Sequence, residues 1–272
     1  MAEFSVLMSV YIKEKPEYLD ACFKSLLRQT TQADEWVVVE DGPLTKELYD
    51  VLDAYEHDYP GLIKRVRLNE NQGLGLALRA GVPECKNELI ARMDTDDIAR
   101  EDRFEKQLAC FEKDSSLDIC GSNIDEFEGS PQNIVAKRIV PTTHEDIIQY
   151  QKKRDAFNHM TVMYKKKSVL NAGNYESCPL MEDTYLWARM IINGAKCANI
   201  AEPLVLARIG HDMFERRGGW AYFKKYSTAK KMVLQTGFIT WFDYLYTLFV
   251  QFVVALMPGA LRGFVFKRVL HK

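Results

Sequence analysis

The sequence lacks several patterns that define common protein classes. Its six cysteines stand singly, without a Cys-x-x-Cys pair, so neither a zinc site nor a disulfide framework is indicated. No glycine-rich loop ends in a lysine, which argues against a P-loop phosphate site. No basic and apolar leader follows the first methionine, and we therefore expect the chain to act in the cytoplasm. Hydrophobic residues make up 47% of the 272 residues and charged residues 27%, a balance typical of a folded globular protein.

The small net charge of −2 conceals a basic carboxyl-terminal end. Residues 216–272 contain 10 Lys or Arg and one acidic residue, Asp243, so this part carries +9 and the rest carries −11. Apolar side chains are interleaved with these bases, and residues 238–257 form a largely apolar stretch. We expect this region to lie on an anionic membrane surface and not to bind nucleic acid. Core helices folded back on the body, or a membrane span, are the alternatives.

The first hundred residues alternate short apolar runs with amphipathic stretches. Strands are predicted at 4–11, 36–41, 62–68 and 88–93, and helices between them at 16–28, 44–57 and 73–81. This alternation predicts an α/β fold with a mainly parallel central sheet. Farther along, helices are predicted at 103–113, 144–153 and 183–193, and a strand at 117–127. We divide the chain into a catalytic domain, 1–218, and an amphipathic helical appendage, 219–272.

The fourth predicted strand ends in the most informative local sequence, Arg92-Met-Asp94-Thr-Asp96-Asp97. Three carboxylates within four residues at the end of a buried strand repel one another unless a cation lies among them. Hard divalent cations take oxygen ligands and bridge to substrate phosphates. The pattern therefore predicts a metal site for a bound diphosphate. The alternative is a loop in which Asp96 or Asp97 caps the following helix.

Two further acidic pairs and one glycine motif stand at element boundaries. Asp41, after the second strand, can accept a hydrogen bond from a nucleobase N–H, or can form a turn with Gly42. Glu182 and Asp183 precede a helix, where a carboxylate can remove a hydroxyl proton, or can act as a cap. The glycines after Asn71 do not have the spacing of a dinucleotide-binding motif.

In this order, these motifs and the loop around His159 resemble the inverting nucleotide-sugar glycosyltransferases of family two, which have the GT-A fold. The resemblance covers roughly residues 4 to 215 and is greatest to bacterial enzymes that build capsule, O-antigen or exopolysaccharide repeats. It implies metal-dependent transfer, with Mn²⁺ or Mg²⁺, of a sugar from a UDP-sugar to a glycan carried on a polyprenyl diphosphate. The enzyme would then work at the inner face of the cell membrane.

The resemblance also implies roles for individual residues. Asp183 is expected to be the catalytic base, and Asp96 and His211 are expected to bind the metal. Contacts with the nucleotide sugar are expected from Tyr11, Asp41, Asn71, Arg79, Arg92, Asp94, Thr95 and Glu182.

Two other functions stay open at this point. One is a nucleotidyltransferase of related fold, although the loop Ile12–Pro16 has no glycine for a triphosphate site. The other is a non-catalytic module that binds sugar or lipid.

Overall fold

A computed structural model describes residues 3–210 and 219–257 of the protein. The first half contains β1 (Phe4–Val10), α1 (Pro16–Leu27), β2 (Glu35–Glu40), α2 (Lys46–Asp58), β3 (Ile63–Arg67), α3 (Leu74–Glu84) and β4 (Leu89–Arg92). The second contains β5 (Ile98–Ala99), α4 (Arg103–Lys113), β6 (Leu117–Phe127), β7 (Ile134–Arg138), α5 (His144–Gln151), β8 (Met163–Lys165), α6 (Lys166–Asn171), α7 (Glu182–Ile192) and β9 (Lys196–Arg208). Two helices follow, α8 (Gly219–Gln235) and α9 (Trp241–Leu256).

The described strands form one sheet in the order β3-β2-β1-β4-β8-β6-β9-β5, with β7 paired to β6. Strands β3, β2, β1 and β4 are parallel, as the sequence predicts, and β6 and β9 form a second parallel pair. Strand β8 lies antiparallel between these two parts. The carboxyl ends of β1, β2 and β4 therefore lie at one edge, where ligands of such sheets collect.

Helices cover both faces of β1, β2 and β4, which explains why these strands are largely apolar and almost entirely buried. Val6 and Met8 pack on one face of β1 with Phe23 of α1, whereas Leu7 belongs to the core on the other face. On that second face α3 lies close to the sheet because it has glycine at 81. A Cβ at Gly81 would lie 2.4 Å from a methyl carbon of Leu7, so a larger residue would push α3 outward.

The region after β4 differs from the alternative in which Asp96 or Asp97 caps a helix. Ile98–Ala99 is a short strand paired with β9, and α4 begins only at Arg103, after Asp102. Neither aspartate is therefore a helix cap, and both side chains remain at the sheet edge. The sequence does not predict strand β9, because Pro203 interrupts its apolar pattern. At this proline the register between β6 and β9 shifts.

The two carboxyl-terminal helices have different surroundings. Helix α8 packs on α7, where Ala229 and Val233 are buried. Helix α9 begins at Trp241, because Thr240 and Asp243 form a capping box that accounts for the acidic residue in this apolar stretch. Within the described ranges, every helix is too short or too polar to cross a membrane. The 16 residues of α9 extend for about 24 Å, less than the bilayer core.

Candidate active site

The three aspartates after β4 form a compact acidic cluster. One carboxylate oxygen from each of Asp94, Asp96 and Asp97 lies within 4.8 Å of the others. Burial and the neighbouring carboxylates raise the pKa of Asp96 to about 7 and that of Asp97 well above its usual range. Among the described residues, Oδ2 of Asp97 is buried without a hydrogen-bond partner. Crowded carboxylate oxygens, with a buried and unused acceptor on Asp97, fit a hard divalent cation.

Arg208, at the end of β9, fixes the aspartate cluster from the opposite strand. Its backbone N–H donates to Oδ1 of Asp97 at 2.8 Å, and its Nε donates to the carbonyl of Asp96 at 3.0 Å. The guanidinium carbon lies 3.8 Å from the centre of the Tyr18 ring, which restricts the arginine further. Sequence reasoning missed Arg208 because it did not recognise β9. Thr95, between Asp94 and Asp96 in the sequence, is buried, and its hydroxyl donates to Glu14 at 2.7 Å.

A buried guanidinium lies beside this cluster. Arg92 is the last residue of β4, and its Nη2 lies 2.5 Å from Oδ1 of Asp94. Burial disfavours its charge, but Asp94 together with Tyr175 and Asp97 outweighs burial, so the pKa of Arg92 is raised above its ordinary value. Its Nε and Nη1 have no hydrogen-bond partner in the part of the chain that the structure describes. Two buried N–H donors without acceptors are costly, and a bound anion would satisfy them.

A second acidic pair begins α7. The residue before the first turn is Met181, so Glu182 and Asp183 lie inside the turn and neither is its cap. Burial, followed by repulsion from Asp155 and Glu182, raises the pKa of Asp183 to about 8. Arg92 favours the charged form of both carboxylates, whereas Asp94 disfavours that of Glu182. Arg92 therefore interacts electrostatically with both the aspartate cluster after β4 and the acidic pair on α7.

Backbone strain and a close helix contact accompany the start of α7. Leu180 has φ of +66°, a left-handed conformation that costs a leucine about 1–2 kcal/mol. A Cβ on Gly75, in the first turn of α3, would lie 2.9 Å from Cβ of Glu182. Glycine at this position thus lets α3 approach the acidic pair.

Asp41 and Asn71, which the sequence suggests as separate features, belong to one structure. Asp41 is buried, and its carboxylate accepts hydrogen bonds from Nδ2 of Asn71 and the backbone N–H groups of Gln72 and Gly73, at 2.7–3.0 Å. Gly42 has φ of +82°, and a Cβ there would lie 2.6 Å from the backbone nitrogen of Asn71. A carboxylate offers about four acceptor positions, so one remains for a nucleobase N–H. The nucleotide contacts of Asp41 and Asn71 stay predictions.

The remaining predicted residues lie in three different settings. Tyr11 follows β1 at the ligand edge and is 42% exposed. Arg79, on α3, donates from Nη1 to the carbonyls of Gly173 and Tyr175, so its guanidinium holds the segment before α7. Its nucleotide contact stays a prediction. His211 lies outside the described residues.

Comparison with known proteins gives consistent results. The family model described as "Glycosyl transferase family 2" matches residues 5–170. The amylovoran biosynthesis glycosyltransferase AmsE of Erwinia amylovora is 38% identical over 97% of this chain and 98% of its own. An Escherichia coli protein described as UDP-Gal:alpha-D-GlcNAc-diphosphoundecaprenol beta-1,3-galactosyltransferase is 34% identical over 99% of this chain and 97% of its own.

Two solved structures have the same GT-A architecture at low sequence identity. Staphylococcus aureus TarS 1–349 in complex with UDP-GlcNAc superposes with a TM-score of 0.64 and 16% identity, over 96% of this chain and 69% of that one. The mannosyltransferase PcManGT from Pyrobaculum calidifontis, in complex with GDP-Man and Mn²⁺, superposes with a TM-score of 0.64 and 10% identity, over 96% of this chain and 71% of that one. These likenesses establish the fold.

Proposed function

We propose that this chain, which belongs to glycosyl transferase family 2, transfers a sugar from a UDP-sugar to a lipid-linked glycan with inversion at the anomeric carbon. The product would enter a bacterial surface polysaccharide, and the name of AmsE, an amylovoran biosynthesis glycosyltransferase, supports a role in biosynthesis of this kind. A UDP donor is supported by the names of the E. coli relative and of the TarS complex.

The observation that carries this proposal is the placement of two acidic groups around one buried arginine. The cluster of Asp94, Asp96 and Asp97 follows a strand, whereas Glu182 and Asp183 begin a helix. Arg92 is paired with Asp94 and influences the charge of both carboxylates on α7. The aspartate cluster, through a bound cation, is suited to the leaving diphosphate, and the acidic pair on α7 is suited to the attacking hydroxyl.

The aspartate cluster would hold the divalent cation, Mn²⁺ or Mg²⁺, with Asp96 as the principal ligand. When bound, the cation supplies positive charge that stabilises the departing nucleoside diphosphate. Arg92 adds two N–H donors in a buried position, where their effect on a phosphate oxygen is strong because water does not screen them. His211 remains the second ligand implied by the family resemblance.

Asp183 would remove the proton from the acceptor hydroxyl. The acceptor oxygen then bonds to the anomeric carbon while the bond from that carbon to the UDP oxygen breaks, and the proton moves to Asp183. A carboxylate whose pKa is about 8 is a far stronger base than an ordinary aspartate, and suits transfer near neutral pH. Because this pair stands on a separate element from the aspartate cluster, we propose one displacement. An α-linked donor would then give a β-linked product.

The carboxyl-terminal helices would place the enzyme on an anionic membrane that carries the acceptor. Most of the large apolar side chains of α9 are exposed: Trp241, Phe242, Leu245, Tyr246, Phe249, Val250, Phe252, Val253 and Leu256. The exposed bases Lys224, Lys225 and Lys231 lie on the adjoining helix α8. Aromatic side chains beside lysines are typical of helices that lie in a bilayer interface. The undecaprenol in the name of the E. coli relative supports the same arrangement.

The test is a transfer assay with defined substrates. UDP-galactose, UDP-glucose and their N-acetyl forms are each incubated with Mn²⁺ and an alkyl diphosphate of N-acetylglucosamine, and the product linkage is assigned by NMR. We expect a β-linked product that Asp183→Asn fails to form and that Asp50→Asn, on the exposed face of α2, forms normally. An α-linked product, or no transfer from any of these UDP-sugars, would contradict the proposal.

A further inference from the structure

A buried histidine lies next to the proposed base and has no role in the function described so far. His159 opens a short 3-10 turn, His159–Thr161, between α5 and β8. Its side chain is 10% exposed, and Nδ1 lies 4.0 Å from Oδ2 of Asp183. On the other side of the ring, Nε2 lies 2.9 Å from the hydroxyl of Tyr175. The imidazole is thus placed between a phenol and the carboxylate.

The surrounding structure fixes the orientation of this ring. The imidazole packs against Trp187, at 5.9 Å between ring centres and an angle of 77°. Trp187 lies one turn after Asp183 on α7, so the same helix carries the base and the surface on which the histidine rests. The backbone before the ring is held because Nδ2 of Asn158 donates to the carbonyl of Ser122 at 2.8 Å.

The neighbours of His159 also select its protonation state. Burial, assisted by Arg92, lowers the pKa of His159 well below its ordinary value, so the ring is neutral with one donor and one acceptor nitrogen. Burial raises the pKa of Tyr175, whose phenol therefore keeps its proton and can donate it to Nε2. This assignment places the hydrogen on Nδ1, facing Asp183.

We propose that His159 is a positioning residue that directs its Nδ1–H at Oδ2 of Asp183 and holds the carboxylate in the orientation needed for proton removal. The inference rests on the proposed function, because it takes Asp183 as the base. The gap of 4.0 Å must shorten by about 1 Å to become a hydrogen bond, and such contacts commonly tighten when substrate binds. A neutral donor orients the base without adding the full positive charge that would weaken it.

Several charged or titratable groups face Asp183, and the test must separate His159 from them. They are Arg92 on β4, Asp155 and His159 between α5 and β8, Tyr175 and Cys178 before α7, and Glu182 on α7 itself. Lys230 of α8, which packs against α7, acts on Asp155. Replacing His159 alone by a neutral amide leaves every other group of this set in the sequence, so any change can be traced to the histidine.

Two amide variants of His159 provide the matched comparison. The side-chain amide nitrogen of asparagine can take the place of Nδ1, whereas that of glutamine takes the place of Nε2. We therefore expect His159→Asn to keep kcat within about threefold and His159→Gln to lose about 10- to 100-fold, the effect of one hydrogen bond to a charged group. His159→Gln should also move the acid limb of the kcat–pH profile to higher pH, while UDP affinity is unchanged.

A tautomer measurement tests the same idea without any activity. In ¹⁵N NMR spectra of the wild-type protein, the His159 signals, assigned by their loss in His159→Asn, should show a protonated Nδ1 and an unprotonated Nε2. A proton on Nε2 would overturn the proposal. Equal loss of kcat in both amide variants, with an unchanged acid limb, would overturn it too, because that result indicates ring packing alone. A wild-type protein that transfers no sugar would instead contradict the proposed function, and with it the premise that Asp183 is the base, whichever tautomer is found.

Discussion

Replacing Asp96 by asparagine should stabilise the metal-free protein at pH 8, although the change removes a proposed metal ligand. Burial, followed by repulsion from Asp94, raises the pKa of Asp96 from the ordinary 3.8 to about 7. Between these values the folded state holds a proton that the unfolded state has lost. The free energy of unfolding therefore falls as the pH rises through this range, and the loss is complete above about pH 7.

The size of the effect follows from the two pKa values. Each pKa unit corresponds to about 1.4 kcal/mol, so the rise from 3.8 to about 7 represents about 4 kcal/mol at pH 8. Asp97, whose pKa is also raised, shares part of this repulsion, and the contributions of neighbours are not additive. We therefore expect Asp96→Asn to add about 2 kcal/mol to the free energy of unfolding at pH 8, and less than half of that at pH 5.

Urea denaturation in the presence of a chelator, at both pH values, measures this difference. Asp50→Asn is the matched control, since Asp50 pairs with Lys46 on an exposed helix face and its loss should change stability by less than about 0.5 kcal/mol. Excess Mn²⁺ should stabilise the wild-type protein and leave Asp96→Asn unchanged. Destabilisation by Asp96→Asn of equal size at pH 5 and pH 8 would refute the reasoning, because charge crowding requires a pH-dependent gain.

Three further predictions concern the base and the carboxyl-terminal helices. Asp183→Asn should keep UDP affinity and reduce transfer at least about 100-fold. Because the pKa of Asp183 is about 8, the acid limb of the wild-type kcat/KM–pH profile should lie well above pH 4. Equal loss of UDP binding and of transfer would contradict the assignment of Asp183 as the base. Phe242→Ser with Phe249→Ser should release the protein from anionic vesicles without changing UDP affinity, since both side chains are exposed on α9. Lys230→Met should change stability and activity more than Lys231→Met, because Lys230 is buried near Asp155 and Asp243 whereas Lys231 is exposed. Equal effects of the two substitutions would argue against a charge network between α8 and the site.

Strands β1, β2 and β4 of the parallel half were predictable because they are buried on both faces and so appear as short apolar runs. The second half was harder to predict. Strand β8 has only three residues, and β9 contains Pro203 within an irregular pairing. The sequence alone shows that 238–257 is an apolar stretch. The structure adds that its helix starts at Trp241, because Thr240 and Asp243 form a capping box.

The candidate site shows the same division. Its acidic residues were predictable, because carboxylates directly after buried strands, or at a helix start, are conspicuous in one sequence. Their partners were not, because those partners come from distant segments. Arg208 reaches Asp97 from a strand 111 residues away, and Tyr175 approaches His159 through a loop that has no periodic pattern. The bonds from Asp41 to the Asn71 loop likewise depend on how β2 and α3 are juxtaposed.

Calorimetric titration of UDP, with and without Mn²⁺, tests the central claim most directly. We expect Mn²⁺-dependent binding by the wild-type protein, loss of that binding in Asp96→Asn, and its retention in Asp183→Asn. Those three results together would separate the metal and leaving-group side of the site from the base. Absence of UDP binding, or binding that neither Mn²⁺ nor Asp96→Asn affects, would contradict the account.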